Sequence, residues 1–254
     1  MNYRIADVSG YPIIVGKYRN SLFSVIVPFY LESYPINEIY TEIKTKLGTE
    51  KIRVSPLVAD QAEEIKAHYT DAEIILSRDL SDYFYNTSDL INLSGKKFHQ
   101  KRNHVNSFTS KYSHTYIPVS TDDPDSLKLL KNACDTLYDP NSGEDFADEY
   151  IAINELIGNF EALGLSAGVI ISDGIPVAYS IGEHMSQDTA LIHIEKANKN
   201  FSGSFAAINK MFAAHEFSDT LFINREEDMG LEGLRKAKLS YHPVRIGEYY
   251  TAII

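Results

Sequence analysis

One cysteine, Cys134, is present in the 254 residues, so no internal disulfide can form. It lies in an amphipathic pattern with Leu127, Leu130 and Leu137, which marks it as a core residue and not a nucleophile. No apolar run approaches the ~20 residues of a membrane helix. The longest, Leu22 to Leu31, is interrupted by Ser24 and Pro28. Arg4 and Asp7 stand where a signal peptide needs uninterrupted apolar sequence, so a cytoplasmic location is expected. The histidines form no H-x-x-x-H pair, and His99 and His104 fall on different sides of a helix, so no metal is expected. Neither G-x-x-x-x-G-K-[ST] nor G-x-G-x-x-G occurs, which argues against nucleotide hydrolysis and dinucleotide redox.

Carboxylates are also missing from Leu90 to Thr121, where Lys96, Lys97, Lys101, Arg102 and Lys111 contribute five positive charges. With a net charge of −11 overall, the remainder carries −16 (−11 minus 5). Salt screens exposed charges beyond ~8–10 Å, so such a strip can hold a polyanion on an acidic body. A helix is expected from Ser94 to Phe108, with Phe98, Val105 and Phe108 as its apolar stripe. Lys96, Lys97 and His104 project over a third of its circumference, and Lys101 and Arg102 flank the stripe. These five residues are the candidate nucleic-acid contacts. An acidic segment of the same chain would attract this helix equally, and that alternative stays open.

Hydrophobic residues at 44% and charged residues at 23% place the chain among globular proteins. Its length allows one large core or two ordinary ones. The first part alternates strands (Pro12–Val15, Leu22–Phe29, Ile52–Val54, Glu73–Leu76) with helices (Asn37–Leu47, Asp60–Tyr69), the pattern of a sheet covered by helices. A strand at Thr115–Val119 precedes helices over 124–138 and 144–163, separated by the turn composition Asp139 to Gly143. Strands follow at Ala167–Ile171, Val177–Gly182 and Ala190–Glu195, the first two joined through Asp173-Gly174. Helix Phe205–Phe217, strand Thr220–Ile223, helix Leu231–Lys238 and a hairpin from Val244 to Ile253 complete the reading. Tyr83, Phe84 and Tyr85 read either as core or as a platform for stacking bases.

Three segments carry a resemblance. They are Leu93-Ser94-Gly95-Lys96-Lys97-Phe98-His99-Gln100-Lys101-Arg102-Asn103-His104, then His193-Ile194-Glu195-Lys196-Ala197-Asn198, and Ile223-Asn224-Arg225-Glu226-Glu227-Asp228-Met229-Gly230 with Leu234 to Tyr241. They resemble the phosphatidylglycerol lysyltransferase C-terminal domain family in a soluble form without a membrane domain. The element order from residue 124 onward likewise matches the GNAT (acyl-CoA N-acyltransferase) plan. The resemblance implies an α/β (α+β) fold of two tandem GNAT-like domains, each a mixed, mostly antiparallel sheet flanked by helices. The expected division is 1–112, ending in the basic helix, and 113–254, carrying the active site.

In such a fold the loop Asn198 to Ser204 would turn its amides toward an anion at the start of a helix, with Asn198, Ser202, Gly203 and Ser204 as contacts. A capped helix start is the equal alternative. Arg235 could grip a phosphate bidentately and Lys238 as a point charge, or both could simply favour the end of their helix. Acyl transfer needs a base and an acid. Glu195, near the end of a cleft-lining strand, is the candidate base, or else a surface partner of Lys196; Tyr241 is the candidate acid for the leaving group, or else a packed core tyrosine. Asn224, Arg225, Glu226 and Asp228 crowd one strand end, a density of charge that implies either a site, with Asn224 and Glu226 as further catalytic candidates, or a structural knot of ion pairs.

The implied activity is transfer of an aminoacyl group from aminoacyl-tRNA to an amine or hydroxyl acceptor, which could be a small molecule, a peptide or a lipid headgroup. No tightly bound cofactor and no integral membrane association are expected. An acyl-CoA-dependent N-acyltransferase is the alternative enzyme. A non-catalytic RNA- or partner-binding module is the alternative outside enzymes.

Overall fold

A computed structural model describes residues 2–8, 10–17, 22–27, 36–139 and 144–254. Two compact units are present: Met1–Ser81 with Asp228–Leu231 and Gly247–Ile254, and Asp82–Glu227 with Glu232–Ile246. The boundary thus falls between Ser81 and Asp82 and not between residues 112 and 113. The basic helix belongs to the second unit.

The first unit contains β1 (Asn2–Val8), β2 (Tyr11–Lys17), β3 (Phe23–Ile26), α1 (Ile36–Leu47), β4 (Ile52–Leu57), α2 (Ala59–His68) and β5 (Glu73–Leu76). Pairs are antiparallel except β3 with β4. Ile39, Tyr40 and Ile43 recur at helical spacing on α1 and are buried with Ile13, Val25, Ile52 and Val54, which explains the covered sheet. The strand expected to reach Phe29 is described only to Val27; Pro28 and Phe29, like Pro140 to Gly143 of the expected turn, lie outside the described residues.

The second unit holds β6 (Asp82–Asn86), α3 (Thr87–Asn92), α4 (His99–Lys111), β7 (His114–Val119), α5 (Pro124–Leu137), α6 (Glu144–Gly158), β8 (Ser166–Ser172), β9 (Ile175–His184), β10 (Thr189–Ala197), α7 (Ser204–Glu216), β11 (Phe222–Asn224), α8 (Glu232–Leu239) and β12 (Arg245–Gly247). Its sheet runs β12-β6-β11-β10-β9-β8-β7. Strands β7 to β10 are antiparallel neighbours, and β10 with β11 is parallel. Asp173 and Gly174 both have positive φ, as the β8–β9 hairpin requires. The Asp123 side chain caps α5, accepting from Asp125 N at 3.1 Å, with Pro124 at the first helical position.

Helices cover both faces of this sheet. On β8 and β9, Val169, Tyr179 and Ile181 join the core under α5 and α6, while Ile170, Val177 and Ala178 join that under α3, α4 and α7. Burial on both sides explains why β9 reads as a nearly continuous apolar run.

Two expectations are corrected. The segment Val244–Ile253 is not a hairpin: β12 lies beside β6, whereas β13 (Tyr250–Ile253) joins the first sheet between β4 and β5. Local alternation marks strands but does not select their partners. Of the two readings of Tyr83, Phe84 and Tyr85, core is the one found: they are β6 itself, all three buried. The expected basic helix is also divided: a 3-10 turn over Lys96–Phe98 precedes α4, after Gly95 at φ 83°.

Gly203, at φ 91°, begins α7. A Cβ there would lie 2.2 Å from the His104 carbonyl oxygen. Gly203→Ala should therefore lower stability by about 2–3 kcal/mol through backbone strain and overlap. A urea unfolding curve followed by circular dichroism checks this; an unchanged midpoint would refute the close approach.

Candidate functional site

Strand β10 pairs with β11 only over Thr189–Leu191, yet it continues beside β9 as far as Ala197. Ile192–Ala197 therefore faces a gap where β11 has ended. A bulge lies in β10 between Ile192 and Ile194, and the chain after β11 turns through Glu226 at φ 55°.

The side chains of Glu195 and Arg225 cross this gap. Arg225 Nη2 donates to Glu195 Oε1 at 3.0 Å, and Asn209 Nδ2 of α7 donates to Oε2 at 2.9 Å. Both ionic side chains are 12% exposed. The guanidinium carbon lies 4.9 Å from the Tyr241 ring centroid and 5.7 Å from that of Tyr85, so aromatic faces replace much of its hydration.

Lys238, buried on α8, staples the turn after β11. Its ammonium donates to the carbonyls of Arg225 and Glu227, and to that of Glu226 at 3.1 Å. Burial first, and then Arg225, pull its pKa down to about 8. This ammonium, expected at a phosphate, is engaged by main chain instead. Asn224 is also inward: Nδ2 donates to Asp82 Oδ2 at 2.8 Å, and Oδ1 accepts from Glu226 N at 2.8 Å. It holds the turn and tethers β11 to β6.

Glu226 meets a residue that reasoning from the sequence did not single out as functional. His193 Nδ1 lies 2.8 Å from Glu226 Oε1, and Nε2 lies 3.1 Å from Glu183 Oε1. Ionised carboxylates only accept, so two such bonds require N–H on both ring nitrogens, an imidazolium. The Glu226 hydrogen bond is the main cause holding the His193 pKa above its ordinary value, against burial.

Tyr241 is buried, and burial pushes its phenol well up, so it stays protonated as a neutral donor. Its ring meets Tyr85 edge-on at 6.4 Å and lies 4.0 Å from Lys101 Nζ. The Tyr85 hydroxyl donates to the Lys238 carbonyl at 2.9 Å.

The loop from β10 to α7 is closed on itself. Asn200 N donates to Asn198 Oδ1 at 2.9 Å, Phe201 N to Asn198 O at 3.0 Å, and Ser204 N to Phe201 O at 3.0 Å. Ser204 Oγ donates to Asn198 O at 3.0 Å. Gly203 makes its close approach to α4, while Ser202 lies between as an exposed residue.

Among the basic residues, Lys96, Lys97 and His104 are exposed, with Lys97 Nζ 3.2 Å from Asp89. Arg102 Nη1 donates to the Leu93 and Gly95 carbonyls, closing the end of α3. Arg235 is half-buried on α8.

A cleft of ≈ 530 Å³ opens beside Glu195, walled by the C-terminal end of α5, by α6 and by the loop after β10. Small-ligand sites commonly run to about 300–1,000 Å³. Tyr138, Glu149, Tyr150, Glu195, Lys196 and Asn198 are among the polar residues that line it. Lys196 Nζ lies 2.6 Å from Glu149. Cys134 also lines it, but burial raises its thiol, which disfavours the nucleophilic thiolate. The predicted residues thus divide: Glu195 and Asn198 line the cleft, Tyr241 joins Glu195 through Arg225, and Asn224 and Lys238 hold the turn. Of the residues missed, His193 was detectable from its alternation with Glu195, whereas Asn209 and Glu183 carry no local signal.

Two measurements test this geometry. Glu195→Ala strands a buried guanidinium and should cost about 3 kcal/mol. Glu195→Met combined with Arg225→Met should recover most of that in urea unfolding; simple additivity would show the pair to be uncoupled. His193 has a folded pKa above its unfolded 6.5, so its stabilisation is complete below 6.5 and is lost as pH rises through the raised value. The difference in Tm between the native chain and His193→Gln should therefore narrow from about pH 6 to about pH 9; a constant difference would exclude the imidazolium.

The sequence profile described as "Phosphatidylglycerol lysyltransferase, C-terminal" matches residues 13–253. A conserved protein of unknown function from Bacteroides thetaiotaomicron superposes with a TM-score of 0.81 at 31% identity, over 99% of this chain and 85% of that one. L-PGS from Bacillus licheniformis gives 0.67 at 16% identity, over 98% and 83%. A tandem GNAT protein from the clavulanic acid biosynthesis pathway gives 0.56 at 8% identity, over 96% and 78%. The latter two show the shared fold. No helix of the described residues is long and apolar enough to cross a membrane. The chain belongs to the phosphatidylglycerol lysyltransferase C-terminal family and is an acyltransferase of GNAT-like fold.

Proposed function

We propose that the chain transfers an aminoacyl group from aminoacyl-tRNA to an amine or hydroxyl acceptor, in the cytoplasm and without a resident cofactor. The observation that carries this reading is the Glu195 carboxylate, fixed at the gap beside β10 by Arg225 and Asn209, in a residue that also lines the polar cleft. Its two oxygens accept from Arg225 and Asn209 and keep further lone pairs.

An acceptor amine beside the Glu195 carboxylate attacks the ester carbonyl of the donor. The C–N bond forms, Glu195 takes the proton of the attacking nitrogen, and the ester C–O bond breaks. The same proton then passes to the departing 3′ oxygen, so Glu195 ends the cycle ionised. A hydroxyl acceptor follows the same course with a new C–O bond. Tyr241 acts through Arg225, whose face it covers, and is a positioning residue.

The loop after β10 supports this donor over acyl-CoA. The amides of Asn200, Phe201 and Ser204 already have acceptors, and the Gly203 backbone is pressed against α4, which leaves a poor cradle for a pyrophosphate. The polar lining of the cleft suits a polar acceptor, whether small molecule, peptide or lipid headgroup.

The test supplies purified protein with radiolabelled aminoacyl-tRNAs and, in separate reactions, amine mixtures, peptides or phosphatidylglycerol vesicles. Label should move to one acceptor class. Glu195→Gln should reduce the rate by about 10²–10⁴-fold, and Tyr241→Phe by much less. Turnover of acyl-CoA in place of aminoacyl-tRNA would overturn the donor. Binding of tRNA with no transfer to any acceptor, unchanged in Glu195→Gln, would establish the non-catalytic module.

A further inference from the structure

Lys101 differs from the other cations of α4. Among the described residues, no hydrogen bond or ion pair reaches its ammonium, which is half-buried over the Tyr241 ring at 4.0 Å. Arg225 lies against the same ring at 4.9 Å. Its Nη2 is taken by Glu195, but its Nη1 is buried without a partner. Two cations thus share one aromatic side chain, and the single carboxylate beside them is already paired with Arg225. Like charges repel more strongly in such surroundings than in water, and an unmatched buried donor is costly. An oxyanion between Lys101 and Arg225 removes both penalties.

The geometry points to an oxyanion subsite made by Lys101 Nζ and Arg225 Nη1 at the Tyr241 ring, which takes a phosphodiester group of an RNA ligand. The assignment to RNA rests on the aminoacyl-tRNA reading above. It is favoured over an isolated headgroup because Lys101 is the inward member of a row: exposed Lys96, Lys97 and His104 continue along the same turn and helix. A chain of phosphates can meet them in succession.

The subsite has its own pH signature. Burial first, and then Arg225, lower the Lys101 pKa to about 8, with Glu195 opposing. The titratable and charged groups facing Lys101 are Arg225 after β11, Glu195 on β10 and the Tyr241 phenol after α8. Lys97 lies one turn away on its own segment. A bound anion restores the ammonium, so affinity must fall as pH rises through about 8.

The experiment titrates the full chain with a minihelix RNA ending in an unpaired 3′ CCA, from about pH 7 to about pH 9, with sulfate as a competitor of constant charge. Affinity of the native chain should fall about tenfold over this range. Lys101→Arg should keep the affinity and lose the pH dependence, while Lys101→Met should bind weakly at every pH and lose sulfate competition. An identical pH profile in the native chain and Lys101→Met, with RNA still bound, overturns the subsite and leaves the donor reading standing. No binding of RNA by the native chain overturns both. A Lys101-dependent profile with anionic lipid vesicles and not with RNA overturns the assignment to RNA.

Discussion

The ion pair between Glu195 and Arg225 is the constraint on which the second unit's site depends. Where β10 loses β11 as a neighbour, main-chain hydrogen bonding across the sheet stops, and this pair of side chains takes its place. Its acidic partner is also bonded by Asn209 of α7, and the same residue lines the cleft under α5 and α6. Its basic partner is packed by tyrosines of the opposite core. A buried pair is seldom a strong source of net stability, but loss of one partner is severe. That asymmetry suits the base proposed for Glu195, since its position is enforced by what its loss would expose.

Much surrounding polarity serves that placement. Lys238 gathers three carbonyls, Asn224 ties the turn to β6, and His193 joins Glu183 to Glu226. Each opposes a cost that the irregular turn after β11 would otherwise carry, namely buried carbonyls, a left-handed Glu226 and crowded carboxylates. The dense charge at the strand end is thus answered mainly by internal pairing, and the reactive surface is smaller than the cluster itself.

How far the sequence disclosed this follows from the range over which each signal acts. Periodicity is local, so β5, α1, α7 and the β8–β9 hairpin were legible within a residue or two. Glu195 was legible because a carboxylate near a strand end in this element order has few places to point. The roles of Lys238 and Asn224 were not, since both depend on partners set by a turn with positive φ at Glu226, a conformation no residue type there announces. The loop Asn198 to Ser204 was legible as a helix start, but its glycine answers to α4, distant in sequence. β6 was hidden because its run of aromatic residues carries no alternation when both faces are buried.

Strand β13 lies between β4 and β5, with antiparallel pairing on both sides, although the entire second unit separates it from them along the chain. During synthesis β4 and β5 therefore wait as unpaired edges until residue 253 has left the ribosome. Such edges are templates for wrong pairing, and contacts this far apart in sequence form slowly. The second unit, whose strands are contributed before that point, can complete its sheet earlier. The amino-terminal sheet is thus begun first and finished last, an inversion of the usual vectorial order.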